Sequence, residues 1–491
     1  MKKSHLILFA LILISAALAL LRFDSLQIGA SYDDAKYIIL AESLASGQGY
    51  QLINFPRPQI ERNFPPGWSL ILAPFTFVFP KNYDALKIVS LVLWLASIIL
   101  VYTLFSKRLN SPYLEILTAW VALNPFLIGT SVTVMSESAY LFFSLLALLI
   151  FNKTDGKKFG WLVIAALLAL YSQQIRTIGI ALTASLVIYL LLSRHFRDVG
   201  IVSVILVIGF AFQSWLNLRN GGTVISSGYE AQVLSGSVLE KINQVWVNAS
   251  GYFDKVLAGS LIPIFSTRLN AALGWLFILL NILIFLTLAV GFFTSKPKLE
   301  WMHIYFIIYA AGILSFWNPQ VGSVKARFLI PILPFLYFYF LQGIKQLTGE
   351  RFRLVVGVSA VIALILLARN FQDWRSPIRE QMTDLSIGAS WIAENAPADV
   401  IVMVNEPVPA YVHVQRKTIN FPKNNQDLIQ YLNNQDIDYI VIAPLLQSPK
   451  STVLSRDVKD ALAAINAAPD SYTLVFKDEK NNVWVYQYLE K

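Results

Sequence analysis

Ser31-Tyr32-Asp33-Asp34-Ala35-Lys36-Tyr37 follows directly on the first long apolar run, residues 6–21. Two neighbouring carboxylates and a lysine beside hydrocarbon are costly to leave idle, because charge at membrane depth must be paired or used. An ionised aspartate can take a proton from an acceptor hydroxyl, and a fixed cation can neutralise an anionic headgroup or a departing anion. Other charges stand at the ends of later apolar runs. They are Glu61-Arg62 before Pro65-Pro66-Gly67-Trp68, Glu137 within Met135-Ser136-Glu137-Ser138, Arg176 after Ser172-Gln173-Gln174-Ile175, and Lys325 with Arg327 before Phe328. Acids and bases gathered on one membrane face would serve a negatively charged headgroup and a proton transfer together.

Each of these residues also has a plainer reading. Ser31 with Asp34 three residues on resembles a capping box, and acids favour the start of an amphipathic helix over 33–44. Lys36 can snorkel to the interface, and Arg327 can anchor there. Arg176 can pair with a structural acid, Glu137 can be a wet turn residue, and Glu61 and Arg62 can be a solvated loop pair.

The elements that must position these side chains are membrane spans. The chain has 491 residues, 56% hydrophobic and 14% charged, with mean hydropathy +0.57. A soluble chain carries roughly a quarter charged residues. The net charge of +9 is unevenly spread: residues 370–491 hold 11 Lys+Arg against 15 Asp+Glu, leaving 28 against 15 in residues 1–369. That excess fits short cytoplasmic loops under the positive-inside rule and argues against a nucleic-acid partner.

Lys2 and Lys3 place the N-terminus inside, so residue 22 onward emerges outside. A start resembling a signal peptide, with Ala17-Leu18-Ala19 as a possible cleavage site, reads instead as an uncleaved first span. Further spans are expected at 85–105, 113–134, 138–151, a hairpin in 161–192 with Arg176 at its outer tip, 201–218, 273–293, 301–317, 328–343 and 354–368. Residues 66–79 would reach about 21 Å as a helix, too short for a span, and read as an interfacial or re-entrant helix.

The expected fold class is a polytopic all-α membrane domain over 1–369 with about eleven transmembrane helices. Its outer loops, 22–84 and 219–270, would carry extracytoplasmic helices. A small C-terminal α/β domain over 370–491 would follow outside, with strands at 400–404 and 439–443 and helices at 425–434 and 456–467. The N-terminus would be cytoplasmic and the tail extracytoplasmic, in a multi-pass protein of the inner (plasma) membrane.

No cysteine is present, which removes disulfides, thiolate metal sites and cysteine nucleophiles. The four histidines lack metal-ligand spacing, and no Walker sequence, nucleophile elbow or His-Glu-x-x-His stretch occurs. The carboxylates could hold Mg²⁺ or Mn²⁺, but no ligand spacing demands a metal, so none is assigned. There is no internal repeat of the kind that marks many transporters.

The order of motifs resembles that of the GT-C membrane glycosyltransferases, nearest the protein O-mannosyltransferase and lipid A aminoarabinose transferase groups. The resemblance rests on Asp33-Asp34-x-x-Tyr37, Ala41-x-x-Leu44-x-x-Gly47-x-Gly49-Tyr50 and Pro65-Pro66-Gly67-Trp68. Further echoes are Asn124-Pro125, Ser136-Glu137, Arg176-Thr177-x-Gly179 and Arg327-Phe328-x-x-Pro331-x-x-Pro334. It covers residues 5–350.

The resemblance implies transfer of a sugar from a polyprenyl-phosphate donor to an envelope lipid, glycan or protein acceptor on the outer face, with inversion. It makes Asp33 the general base and Asp34 the second acid of the motif. Lys36 falls where relatives carry a basic residue near the lipid phosphate. Tyr37, Arg62, Glu137, Arg176, Lys325 and Arg327 are candidates for donor phosphate or substrate binding. Glu61-Arg62-Asn63-Phe64 departs from relatives that have a basic residue directly before the two prolines. A transporter or flippase of lipid-linked sugars is the alternative, since it could use the same charges to bind a headgroup.

Overall fold

The computed structural model describes residues 3–154, 158–219, 237–263, 274–295, 300–318, 324–349, 351–376, 383–422, 428–444 and 454–489. From the N-terminus the helices are α1 (Lys3–Leu21), α2 (Asp33–Ala45), α3 (Gly67–Val78), α4 (Tyr83–Phe105) and α5 (Tyr113–Ala122). They continue with α6 (Pro125–Ser131), α7 (Glu137–Thr154), α8 (Phe159–Ile175), α9 (Ile180–Leu192) and α10 (Phe196–Arg219). Next come α11 (Val238–Gly251), α12 (Leu257–Leu261), α13 (Gly274–Thr294), α14 (Trp301–Phe316), α15 (Leu333–Leu347) and α16 (Phe352–Arg375). Of the expected outer loop 219–270, residues 220–236 and 264–270 lie outside the described set.

Among the described residues, five helices are long and apolar enough to cross a membrane, or six if the bent pair α5 and α6 forms one span. Other expected spans form apolar helices of 10–17 residues, among them Phe159–Ile175 and Trp301–Phe316, and some apolar runs are interrupted. Asn124-Pro125 divides the run 113–134 with a bend of 52°: Asn124 caps α6 through its side-chain oxygen, and Pro125 starts the new helix, where its missing N–H costs nothing. A single turn of 3-10 helix, Thr177–Gly179, divides α8 from α9. A 3-10 stretch with Pro331 inside, Ala326–Ile332, precedes α15. The expected outer helix at 66–79 forms as α3.

Indole N–H groups that would otherwise be stranded in the apolar interior lock the bundle. Trp94 donates to Ser15 Oγ at 3.1 Å, and Trp301 donates to Ser185 Oγ at 2.8 Å. Helices α13 and α15 cross where Gly291 and Gly343 face opposing carbonyls. A Cβ at Gly291 would lie 1.8 Å from the Tyr339 oxygen, so only glycine permits the approach. At the end of α1, Arg22 is buried and donates to Pro125 O at 2.9 Å and Asn370 Oδ1 at 3.0 Å, and it pairs with Asp373 at 3.3 Å.

Because α16 runs unbroken to Arg375 and Asn370 is part of this knot, the domain boundary drawn at residue 370 falls inside a helix. The strands β1 (Gln51–Leu52) and β2 (Gln59–Ile60) pair as a short antiparallel hairpin before α3. Beyond α16 lies a five-stranded mixed sheet formed by β3 (Ile401–Val404), β4 (Lys417–Ile419), β5 (Tyr439–Ile442), β6 (Tyr472–Asp478) and β7 (Val483–Tyr488), in the order β4-β3-β5-β7-β6. Strands β3, β4 and β5 are parallel, and β7 runs antiparallel to β5 and β6.

Alternate residues of the central strands point to opposite cores. Val402, Val404 and Val441 pack with Leu385 and Ile392 of Thr383–Asn395. Met403, Ile440 and Ile442 pack with Leu432, Val458 and Ile465. Burial on both faces explains the unbroken apolar runs in β3 and β5. The expected helix 456–467 forms as Arg456–Ala467, and of 425–434 the described part is Leu428–Asn434.

The sheet is tied to the segment between α2 and α3. Thr418 N donates to Asn54 O at 2.7 Å, Lys417 Nζ reaches Ile53 O at 2.5 Å, and Val408 and Val412 of the helix Pro407–Val414 join the membrane-domain core.

Candidate active site

The turn before α2 sets Asp33. Tyr32 caps the helix in the left-handed region (φ 61°), a costly conformation for a bulky residue and one that concentrates at functional sites. From there Asp33 faces a cavity of about 90 Å³, into which Tyr37, Ser136, Arg176, Tyr309, Trp317 and Arg327 also project. Arg327 Nη1 lies 2.9 Å from Asp33 Oδ2, and both side chains remain about a quarter exposed. Residues far apart in sequence thus place a solvent-accessible carboxylate and a guanidinium on one cavity wall.

The deeper wall is a hydroxyl and ion-pair network. Arg176 Nη1 lies 2.6 Å from Glu137 Oε1 and 3.1 Å from Ser136 Oγ, and Tyr37 Oη donates to the same Ser136 oxygen at 3.1 Å. Glu137 is fully buried, so its charge is tolerable only because Arg176 is held against it. Tyr309 donates to Phe328 O at 2.9 Å, fixing the turn that carries Arg327. The position of Arg176 depends on a close packing step: Gly67 at the start of α3 approaches the Gln174 backbone, where a Cβ would sit 2.5 Å from the carbonyl oxygen.

The other predicted site residues take different places. Asp34 is 2% exposed and does not line the cavity. Its Oδ2 accepts the Gly29 N–H at 2.8 Å while Oδ1 has no partner, and burial pushes the carboxyl up to about 6. Lys36 pairs with Glu61 at 2.7 Å and lies 4.3 Å from the centre of the Phe64 ring.

Glu61 is more than the loop residue its sequence context offered. Its second oxygen accepts the backbone N–H groups of Arg62, Asn63 and Phe64 and shapes the turn before the prolines. Phe64 then meets Tyr37 edge-on at 5.2 Å and lines the cavity. Arg62 and Lys325 are exposed and are not among the lining residues; Lys325 lies 5.7 Å from the Trp317 ring.

Ser136 was quoted only as part of a motif, and Tyr309 was not singled out at all. Neutral hydroxyls inside apolar runs have no charge contrast to mark them. Beside this polar cavity lies a second, apolar one of about 350 Å³, with Tyr252, Phe253, Phe285, Leu288, Phe306 and Leu336 among its walls. Ile313 borders both.

Among the described residues, no three His, Asp or Glu side chains gather as a metal site. Of the acids at and beside the cavity, Asp33 pairs with Arg327 and Glu137 with Arg176.

No family model and no curated protein matches the chain. Solved structures do. ArnT from Cupriavidus metallidurans bound to undecaprenyl phosphate is 12% identical with a TM-score of 0.62, covering 98% of this chain and 97% of its own. The archaeal oligosaccharyltransferase AglB from Archaeoglobus fulgidus, in complex with an inhibitory peptide and a dolichol-phosphate, is also 12% identical. Its TM-score is 0.56, over 99% of this chain and 74% of its own. The arabinofuranosyltransferase AftD from Mycobacteria gives 0.52 at 11% identity, over 99% of this chain and 41% of its own. These are GT-C membrane glycosyltransferases, and the chain has their fold.

Proposed function

We propose that this GT-C chain transfers a sugar from a polyprenyl-phosphate donor to an envelope acceptor (a lipid, glycan or protein) on the outer face of the membrane. The single observation that carries the reading is a cavity holding Asp33, Arg176 and Arg327 beside a larger apolar cavity, with Ile313 in the wall of both. A lipid-linked sugar phosphate needs both environments: apolar walls for its chain and fixed cations for its phosphodiester.

In this reading the donor phosphate approaches Arg327 and Arg176, and Arg327 transfers its contact from Asp33 to the phosphate. The released Asp33 carboxylate takes the proton from the acceptor hydroxyl. The acceptor oxygen then bonds to the anomeric carbon, the bond from that carbon to the phosphate oxygen breaks, and polyprenyl phosphate leaves as an anion. Preorganised guanidinium groups stabilise that developing charge without reorganisation. Attack opposite the leaving group inverts the anomeric carbon.

Asp34 is left out of the chemistry, since it faces the interior. Lys36 and Glu61 shape the turn at Phe64, and Arg62 and Lys325 are exposed next to lining segments, where an approaching headgroup would pass.

The proposed placement is an inner (plasma) membrane protein with about eleven membrane passages, shorter helices included, a cytoplasmic N-terminus and the five-stranded module outside. Helix ends assigned to the cytoplasm meet one another: Arg108 pairs with Glu300, and Lys345 lies 4.4 Å from the Tyr113 ring. The ends assigned to the outside meet at the cavity.

The test is to incubate the purified protein, in lipid nanodiscs, with a panel of polyprenyl-phosphate sugars and to follow release of polyprenyl phosphate. Release by the wild type and its loss in Asp33→Asn are expected. Absence of release from every donor, with sugar phosphate instead crossing a sealed vesicle membrane, would replace the transferase with a flippase.

A further inference from the structure

Helix α11 is amphipathic in an unusual direction. Its N-terminus is closed by a capping box: Glu240 N donates to Ser237 Oγ at 3.3 Å and Ser237 N to Glu240 Oε2 at 2.9 Å. Two of its polar residues, Gln244 and Asn248, face the protein, while Glu240 and Asn243 are exposed. Gln244 donates to Ser315 O and Trp317 O at 2.9 and 2.8 Å, and Asn248 donates to Leu314 O and Trp317 O at 2.7 Å each. These four bonds satisfy carbonyls at and just beyond the C-terminal end of α14 that lack helical partners.

The opposite side carries Leu239, Ile242 and Trp246, at i, i+3 and i+7, with Val238 beside them. All four are between 61% and 78% exposed. A helix held by its polar side with its apolar stripe facing outward is the reverse of the arrangement that water selects.

The surroundings identify what covers the stripe. Helix α11 is bonded to the end of an apolar helix, and its lower end leads into the apolar surface of the bundle. Phe253, just past the helix, meets Phe285 edge-on at 5.9 Å, and the helix of Phe285 exposes Ile278, Leu279 and Leu286. Beyond the end of α11, the exposed apolar side chains of α13 thus continue the outward apolar surface. A tryptophan on such a stripe suits the boundary between headgroups and acyl chains.

We infer that α11 is a lipid-surface helix, lying in the headgroup region beside the cavity with Leu239, Ile242 and Trp246 in the acyl boundary. The contact has a consequence for the apolar cavity. Ala249 belongs to α11, Tyr252 and Phe253 to the π-helical stretch that follows, and Leu257 to α12, and all four form cavity wall. Lipid contact on one side of the helix thereby steadies the wall on the other.

The chain has no cysteine, so single-cysteine labelling is specific. Nitroxide labels at Ile242→Cys and Trp246→Cys in nanodiscs of phosphatidylethanolamine and phosphatidylglycerol would be compared with Val207→Cys on the apolar helix α10 and Lys459→Cys on the water-facing tail. Labels at 242 and 246 should relax with membrane-dissolved oxygen far more than with a water-soluble nickel chelate, at a depth of roughly 5–10 Å. Relaxation like that at 459 overturns the inference. So does protection from both reagents, which would mean that protein covers the stripe. An independent reading on unlabelled protein is quenching by brominated lipids, where the wild-type signal minus that of Trp246→Phe must show strong quenching.

Discussion

Arg327 Nη1 holds Asp33 Oδ2 at 2.9 Å, so the candidate base and the candidate phosphate-binding cation occupy each other when no donor is bound. Because both groups are partly exposed, the pair can open at modest cost, unlike a buried one. The arrangement ties donor binding to release of the base. Asp33→Asn should lower turnover about 10²–10⁴-fold, the usual range for loss of a general base, while binding of the lipid donor persists. Arg327→Gln should instead weaken donor binding and leave Asp33 unpaired. Turnover measured against donor concentration for both variants checks this: near-normal turnover in Asp33→Asn removes that residue from the role.

Glu137 and Arg176 behave differently because they are buried. Glu137→Gln leaves the Arg176 guanidinium without its counter-charge in a dry setting, and breaking a buried pair on one side costs about 3–5 kcal/mol. The variant should lose thermal stability and also donor affinity, since Arg176 would no longer be held toward Ser136. Thermal unfolding in detergent with and without polyprenyl phosphate separates the effects. An unchanged melting temperature would show that the pair contributes no net stability.

Asp34 gives a pH-dependent prediction. Its folded carboxyl titrates near 6, above its ordinary value, so the folded state prefers the protonated form. That preference adds stability below about pH 4 and is lost as pH rises through 6. Asp34→Asn keeps an oxygen for the Gly29 N–H and removes the buried charge. It should therefore be more stable than wild type at pH 8 by on the order of 2–3 kcal/mol, with the difference vanishing toward pH 4. It should also keep transferase activity, in contrast to Asp33→Asn. Equal stability of the two proteins across that pH range would show that Asp34 is not buried as a costly charge.

Much of the cavity was legible because charge beside hydrocarbon stands out. Asp33, Arg176 and Arg327 were all identified from their position at the ends of apolar runs, and they meet. The Lys36–Glu61 pair was not legible, because it depends on the hairpin of Gln51–Leu52 with Gln59–Ile60 bringing the loop back over α2. Ser136 and Tyr309 were hidden by their neutrality.

The bend within the run 113–134 is legible in the sequence. Asn124-Pro125 carried a clear start signal for a new helix, a capping asparagine before a proline, and the bend at that point follows from it. The tail's β3 and β5 were readable as unbroken apolar runs. The edge strand β4 has only three residues and little pattern to betray it.

The tail's grip on the turn before Asp33 supplies the remaining prediction. His413 Nε2 lies 2.9 Å from Ile28 O, and Pro409 packs against Gly29, whose positive φ of 91° shapes the turn ahead of Asp33. Burial lowers the His413 pKa from its ordinary value, so the folded protein holds a neutral imidazole that donates to the carbonyl. The unfolded chain takes up a proton once pH falls below about 6.5, while the folded one resists it, so this contribution to stability is present at neutral pH and lost on acidification. His413→Gln retains an N–H donor but cannot titrate. Between pH 7.5 and 5 the melting temperature of wild type should fall more steeply than that of the glutamine variant. Asp34 acts on the same loop with the opposite sign, so the comparison is cleanest in an Asp34→Asn background. Parallel pH profiles in that background would mean that His413 is not what clamps the tail to the Asp33 turn.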